Sequence, residues 1–97
     1  MENYLAIKYF KKSYFWDCEL GDIRLKSHLF LIIERVLSQS LELEKDLAQL
    51  ENIYPISKIK EIALSSTQIF GNERINFISK KYNLNSLNFI NFYRKNF

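Results

Sequence analysis

Apolar residues recur at i, i+3, i+4 and i+7 from Leu25 through Leu29, Ile32, Ile33 and Val36 to Leu37, a spacing that lays one hydrophobic stripe along a helix. The pattern predicts a helix over 25–38, with Ser27 or Asp22 as its cap and the polar run 38–40 as its stop. A second stripe, Leu43, Leu47, Leu50 and Tyr54, follows at once. Ser40 is its candidate N-cap, Glu42 and Glu44 sit near the positive end of its dipole, and Pro55 ends it. Ser57 then caps a predicted third helix carrying Ile59, Ile62 and Ala63, which the polar run 65–67 weakens. Gly71 and Asn72 read as turn and cap of a fourth helix through Ile75, Ile78 and Tyr82, with Phe77 beside the stripe and Asn83 suited to the left-handed closing position.

The two ends are less regular. Residues 86–97 are expected to add a short fifth helix around Leu87, Ile90 and Tyr93, although the Asn residues there are weak helix formers. The aromatic stretch from Tyr4 to Trp16 has no β-rich partner elsewhere, so it is expected to be an arm that packs Phe15 and Trp16 onto the helices. The fold expected is all-α: a compact bundle of four or five short helices with an aromatic N-terminal arm. One domain spans 1–97, divided into an arm (1–21), a helical core (22–84) and a basic, Asn-rich C-terminal segment (85–97). A chain of 97 residues suits one core rather than two.

Composition removes several classes of function. Two glycines leave no room for a phosphate-binding or dinucleotide loop, and one cysteine with one histidine cannot build a Cys/His zinc site. No cofactor and no metal are expected. The longest apolar run, residues 29–33, is far too short to span a bilayer, and Lys8, Lys11 and Lys12 break up any signal-peptide core, so a cytoplasmic protein is expected. Charge is segregated. Residues 1–16 carry three basic and one acidic residue, residues 17–61 six and nine, and residues 62–97 five and one, which places a −3 middle between +2 and +4 ends.

Candidate chemistry is sparse. Cys18 and His28 are the only possible nucleophile–base pair, and no orienting third group accompanies them, which argues against an enzyme. Asp17, Glu19 and Asp22 lack the spacing of a calcium loop and read as a solvated acidic loop. Glu34 and Arg35 interrupt the strongest stripe and read as solvated charges, or alternatively as a partner-facing surface. Aromatics make up 15% of the chain, more than one small helical core buries easily. Tyr9, Phe10, Tyr14, Phe89, Phe92, Tyr93 and Phe97 are the ones expected at the surface, and exposed aromatics are common anchors of protein interfaces. Lys80, Lys81, Arg94 and Lys95, interleaved with aromatic and Asn residues, are the alternative: a basic segment contacting nucleic-acid phosphates.

The run Tyr14-Phe15-Trp16-Asp17, then Lys26 and His28, then residues 32–37 (Ile-Ile-Glu-Arg-Val-Leu), resembles a family of small uncharacterised all-helical bacterial proteins encoded beside abortive-infection-type nucleotidyltransferase toxins. Tyr54, Ile59, Glu61, Asn76 and Phe77 occupy comparable places, so the resemblance covers residues 14–84. It departs where the family has a Gly after the first helix, here residues 38–40; a Ser-Arg pair after the third, here Ser66 and Thr67; and a Trp after the Asn-Phe pair, here Ile78. The resemblance implies no catalytic residues. It implies an antitoxin-like or regulatory companion of a nucleotidyltransferase-like toxin; the aromatic anchors and the acidic middle are expected to dock onto and occlude a partner protein, that toxin or another bacterial defence protein, and a phage-encoded inhibitor would have the same physics. A small nucleic-acid-binding protein is the alternative.

Overall fold

The stripes become four helices in the computed structural model, which describes residues 3–93: α1 (Leu29–Gln39), α2 (Leu43–Ile53), α3 (Ile56–Ser65) and α4 (Asn72–Tyr82). The fold is all-α, and among the described residues the only β pairing is a single antiparallel bridge between Leu5 and Arg24. The central element is α1, whose Ile32, Ile33, Val36 and Leu37 are fully buried and which packs against α2, α3 and the single 3-10 turn Lys12–Phe15. Burying each such side chain stabilises the fold by about 1.5–3 kcal/mol. One continuous core then joins these residues to Leu47 and Leu50 of α2, Ile59 and Ile62 of α3, and Ile75, Ile78 and Tyr82 of α4.

The helix ends follow local physics, in places other than expected. Helix α1 starts at Leu29, not Leu25, because residues 23–25 are held extended by the arm: Ala6 N–H donates to Ile23 O at 2.8 Å and Leu25 N–H to Tyr4 O at 2.8 Å. His28 therefore stands at the N-cap position in place of Ser27 or Asp22, and its Nδ1 accepts from Arg24 N–H at 3.1 Å rather than capping the helix. Ser40 closes α1 instead of opening α2, whose N-cap position falls to Glu42. Helix α3 begins directly after Pro55, which leaves Ser57 inside its first turn. Gly71, at φ +94°, and Asn83, at φ +55°, bracket α4 in the left-handed region that Gly and Asn tolerate best.

Among the described residues no fifth α-helix follows. Ser86–Asn88 is one 3-10 turn, capped by the Asn85 side chain and tied to the segment before α4 by that of Asn91. Asn85 Oδ1 accepts from Leu87 N–H at 3.0 Å, and Asn91 Nδ2 donates to Thr67 O at 2.8 Å and Ile69 O at 3.2 Å. Leu87 and Ile90 are left exposed while Phe89 enters the core.

The arm consists of three single 3-10 turns, Ala6–Lys8, Lys12–Phe15 and Leu20–Asp22, and it contributes much of the core. Phe15 is fully buried as expected. Phe10 and Tyr14, expected at the surface, are 5% and 1% exposed. Tyr14 can be buried because its hydroxyl is satisfied: it donates to Asp46 Oδ2 at 2.6 Å and accepts from Leu41 N–H at 3.2 Å. Ser40 Oγ donates to the same Asp46 oxygen at 2.6 Å and accepts from Glu42 N–H at 3.2 Å. Arg74 reaches over from α4 and donates to Leu37 O at 3.1 Å and Ser40 O at 2.7 Å, occupying carbonyls at the end of α1 that have no partner within the helix. Among the described residues no buried side-chain polar atom is left without a partner.

Removing the hydroxyl that supports Asp46 should be costly. Tyr14→Phe is expected to lower unfolding stability by about 1–3 kcal/mol, read as a lower urea midpoint at unchanged m-value. An unchanged midpoint would show that the Tyr14–Asp46 bond adds nothing to stability.

Candidate docking site around Trp16

Three consecutive aromatics, Tyr14-Phe15-Trp16, cannot all face inward from a turn with about three residues per revolution. Tyr14 and Phe15 face the core and Trp16 is turned out, with 76% of its surface exposed, which corrects the expectation that it packs onto the helices. Its backbone is nevertheless fixed. Cys18 N–H bonds Phe15 O at 3.0 Å, and the next residue, Asp17, is locked to α1. The Arg35 guanidinium donates from one nitrogen to Asp17 Oδ1 at 2.5 Å and from the other to Asp17 Oδ2 at 2.8 Å, and it also donates to Tyr14 O at 3.2 Å. Such a two-pronged pair is strong and directional. The Arg35 hydrogen bonds hold the Asp17 carboxyl at about 2, down from its ordinary 3.8, and Asp17 in turn raises the pKa of Arg35.

Glu34, the neighbour of Arg35, fixes the opposite wall. Its Oε2 accepts from Ser66 Oγ at 2.6 Å, and Ser66 Oγ accepts from Gln68 N–H at 3.1 Å, so the segment after α3 is pinned across α1. Glu34 and Arg35 are thus half-buried latches between elements rather than freely solvated charges. Between the two walls lies a cleft of about 290 Å³ lined by Trp16, Asp17, Glu34, Arg35, Ser38, Gln39 and Gln68.

The aromatics expected to anchor a partner do not converge on this cleft. Phe10, Tyr14 and Phe89 are buried; Phe89, at 4% exposure, joins the core directly after the Ser86–Asn88 turn. Tyr9 and Phe92 are half-buried against the core, and the Tyr9 ring lies 6.2 Å from that of Tyr4. Of the six of these seven aromatics that are described, Tyr93 alone is well exposed, at 69%. Of the basic candidates, Lys80 is exposed and Lys81 Nζ lies 3.4 Å from Glu51 on α2. Arg94, Lys95 and Phe97 lie outside the described residues.

Cys18 and His28 are engaged separately. The thiol lies 3.5 Å from Asp17 Oδ1, and both burial and that carboxylate push its pKa up, against thiolate formation. Asp17 of the acidic trio is taken by Arg35, and among the described residues no group of three or more His, Cys, Asp or Glu is placed to hold a metal ion. The signal that identifies Trp16 in the sequence is its place as third aromatic in a row before a charged residue, which one short turn cannot bury.

A protein-family model described as a family of unknown function (DUF6922) matches residues 10–63, the stretch that holds Trp16, Asp17, Glu34 and Arg35. No curated protein and no solved structure matches the chain.

The lowered pKa of Asp17 has a defined sign. A carboxyl whose pKa falls on folding adds stability that is complete above its unfolded value, ordinarily 3.8, and is lost as pH drops towards about 2. Carboxyl-carbon NMR should give Asp17 a midpoint near 2 in the native protein, moving back towards 4 in Arg35→Gln. A native midpoint near 4 would mean that the Asp17–Arg35 pair is not formed in solution.

Proposed function

The chain belongs to this family of unknown function, DUF6922, which brings no activity with it, and we propose that the protein works without catalysis, by docking onto a partner protein and occluding it. The carrying observation is Trp16, three-quarters exposed on a backbone held by the Asp17–Arg35 pair. Trp buries about 150–250 Å² when covered, and it is among the residues most enriched at binding hot spots. A Trp side chain has only two rotatable side-chain bonds, so ordering it on a backbone already fixed costs little conformational entropy on association.

In this reading the protein is an antitoxin-like or inhibitory companion, acting in the bacterial cytoplasm on a nucleotidyltransferase-like toxin or another defence protein; a phage-encoded inhibitor would work the same way. Support comes from the family-like run 14–17, which here builds the Trp16 platform. Among the described residues no helix is long and apolar enough to cross a membrane. The nucleic-acid reading rests on Lys80, Lys81, Arg94 and Lys95, of which Lys81 is already paired with Glu51.

Co-expression with the product of the neighbouring gene is expected to relieve growth arrest caused by that product and to yield a co-purifying complex. Trp16→Ala should weaken the complex about 30-fold, the equivalent of about 2 kcal/mol at a hot spot, with the circular dichroism spectrum unchanged. Full rescue by the folded Trp16→Ala protein would remove Trp16 as the anchor. A retarded DNA or RNA band at low salt, without a protein complex, would favour the nucleic-acid reading.

A further inference from the structure

The cleft beside Trp16 has a chemistry of its own. Its Arg35 is held by the two-pronged bond to Asp17 and also feels the neighbouring Glu34, so Asp17, Arg35 and Glu34 together leave one net negative charge in the cleft. Ser66 donates to one oxygen of Glu34, and no cation pairs with this carboxylate among the described residues. The cleft thus brings together an exposed indole, an unpaired carboxylate and the side chains of Ser38, Gln39 and Gln68. An indole face and a carboxylate attract the same kind of group, a cation, and a planar guanidinium suits both because it stacks on the ring while its N–H groups donate to the oxygens. Size agrees. Pockets for small-molecule ligands span about 300–1,000 Å³, and a cleft of about 290 Å³ fits the end of one long side chain better than a nucleotide or a cofactor. The stretch of chain that supplies most of the lining is acidic as well, since residues 17–61 carry nine acidic and six basic residues.

We propose that the Trp16 cleft is a receptor for an arginine side chain presented by the partner protein, stacked on the indole and paired with Glu34. The assignment rests on the docking reading and adds the chemistry of the partner's contact: a basic surface with a protruding arginine. Gln39 and Gln68 at the rim supply carbonyl oxygens for the remaining guanidinium donors.

Trp16 is the only tryptophan in the chain, so its fluorescence reports on this cleft alone. Titrating the full chain with hexa-arginine at near-physiological salt is expected to change the Trp16 emission saturably, and hexa-glutamate is expected to leave it unchanged. Glu34→Gln should weaken the arginine response about fivefold or more. Gln68→Lys, at an exposed position, places a cation at the rim and should do the same even if Glu34→Gln loosens the Ser66 contact. The assignment is overturned if hexa-arginine gives no saturable change, if both variants bind it like the native protein, or if hexa-glutamate or a single-stranded oligonucleotide is preferred. The two readings fail separately. A negative peptide titration with a partner complex that still depends on Trp16 sinks only the arginine assignment. A positive titration with a complex indifferent to Trp16 sinks the docking role of Trp16.

Discussion

A buried carboxylate is costly unless its oxygens are hydrogen-bonded, and this fold is arranged around one. Asp46, 7% exposed in the first turn of α2, receives the hydroxyls of Tyr14 from the arm and Ser40 from the end of α1, both on the same oxygen at 2.6 Å. Those two hydroxyls then accept the backbone N–H groups of Leu41 and Glu42, the residues that turn the chain from α1 into α2. Arg74 supplies the complementary half by bonding the Leu37 and Ser40 carbonyls. Its charge also suits the negative end of the α1 dipole. Arm, α1, α2 and α4 therefore meet at one satisfied polar junction, and none of its members can be removed without orphaning another.

The placement of Trp16 follows from that junction. Once Tyr14 is drawn inward to Asp46 and Phe15 into the core, the chain has no inward direction left for the next residue, and Asp17 is brought over α1 where Arg35 meets it. The exposed indole is thus a consequence of how its neighbours are buried. Glu34 and Ser66 repeat the device on the other side of α1, so one helix anchors both walls of the cleft through adjacent charged residues. Walls tied to one helix in this way suit the proposed docking role, because less freedom is lost when a partner binds.

Much of the helical architecture was readable from spacing. The stripes through Ile32, Ile33, Val36 and Leu37, through Leu47 and Leu50, and through Ile75, Ile78 and Tyr82 are buried as their periodicity implied, and Asn83 closes α4 in the left-handed conformation expected of it, while the N-cap position falls to Gly71 rather than Asn72. The misreadings share a cause. Leu25 belongs to the stripe by spacing but lies outside the helix, since the arm engages its backbone and the Tyr54 hydroxyl donates to its carbonyl at 2.7 Å. Ser40 looked like a cap for α2 and instead serves Asp46; Leu87 and Ile90 looked helical and instead lie in a turn tied down by Asn side chains. In each case a contact from elsewhere in the chain outweighed a local preference worth about 1 kcal/mol or less.

By itself, the sequence determined that the chain is helical, which face of each helix is buried, and that charge is divided between an acidic middle and basic ends, because these depend only on residue type and spacing. Which aromatics are exposed was decided by the tertiary structure alone. Phe10, Tyr14 and Phe89 are buried and Trp16 is not, although all four are aromatic. The difference lies in whether a partner for the polar edge and a vacancy in the core exist nearby: the turn geometry that denies the second to Trp16 is hinted at by three aromatics in a row, whereas the Asp46 that provides the first for Tyr14 lies 32 residues away and only the fold brings it near.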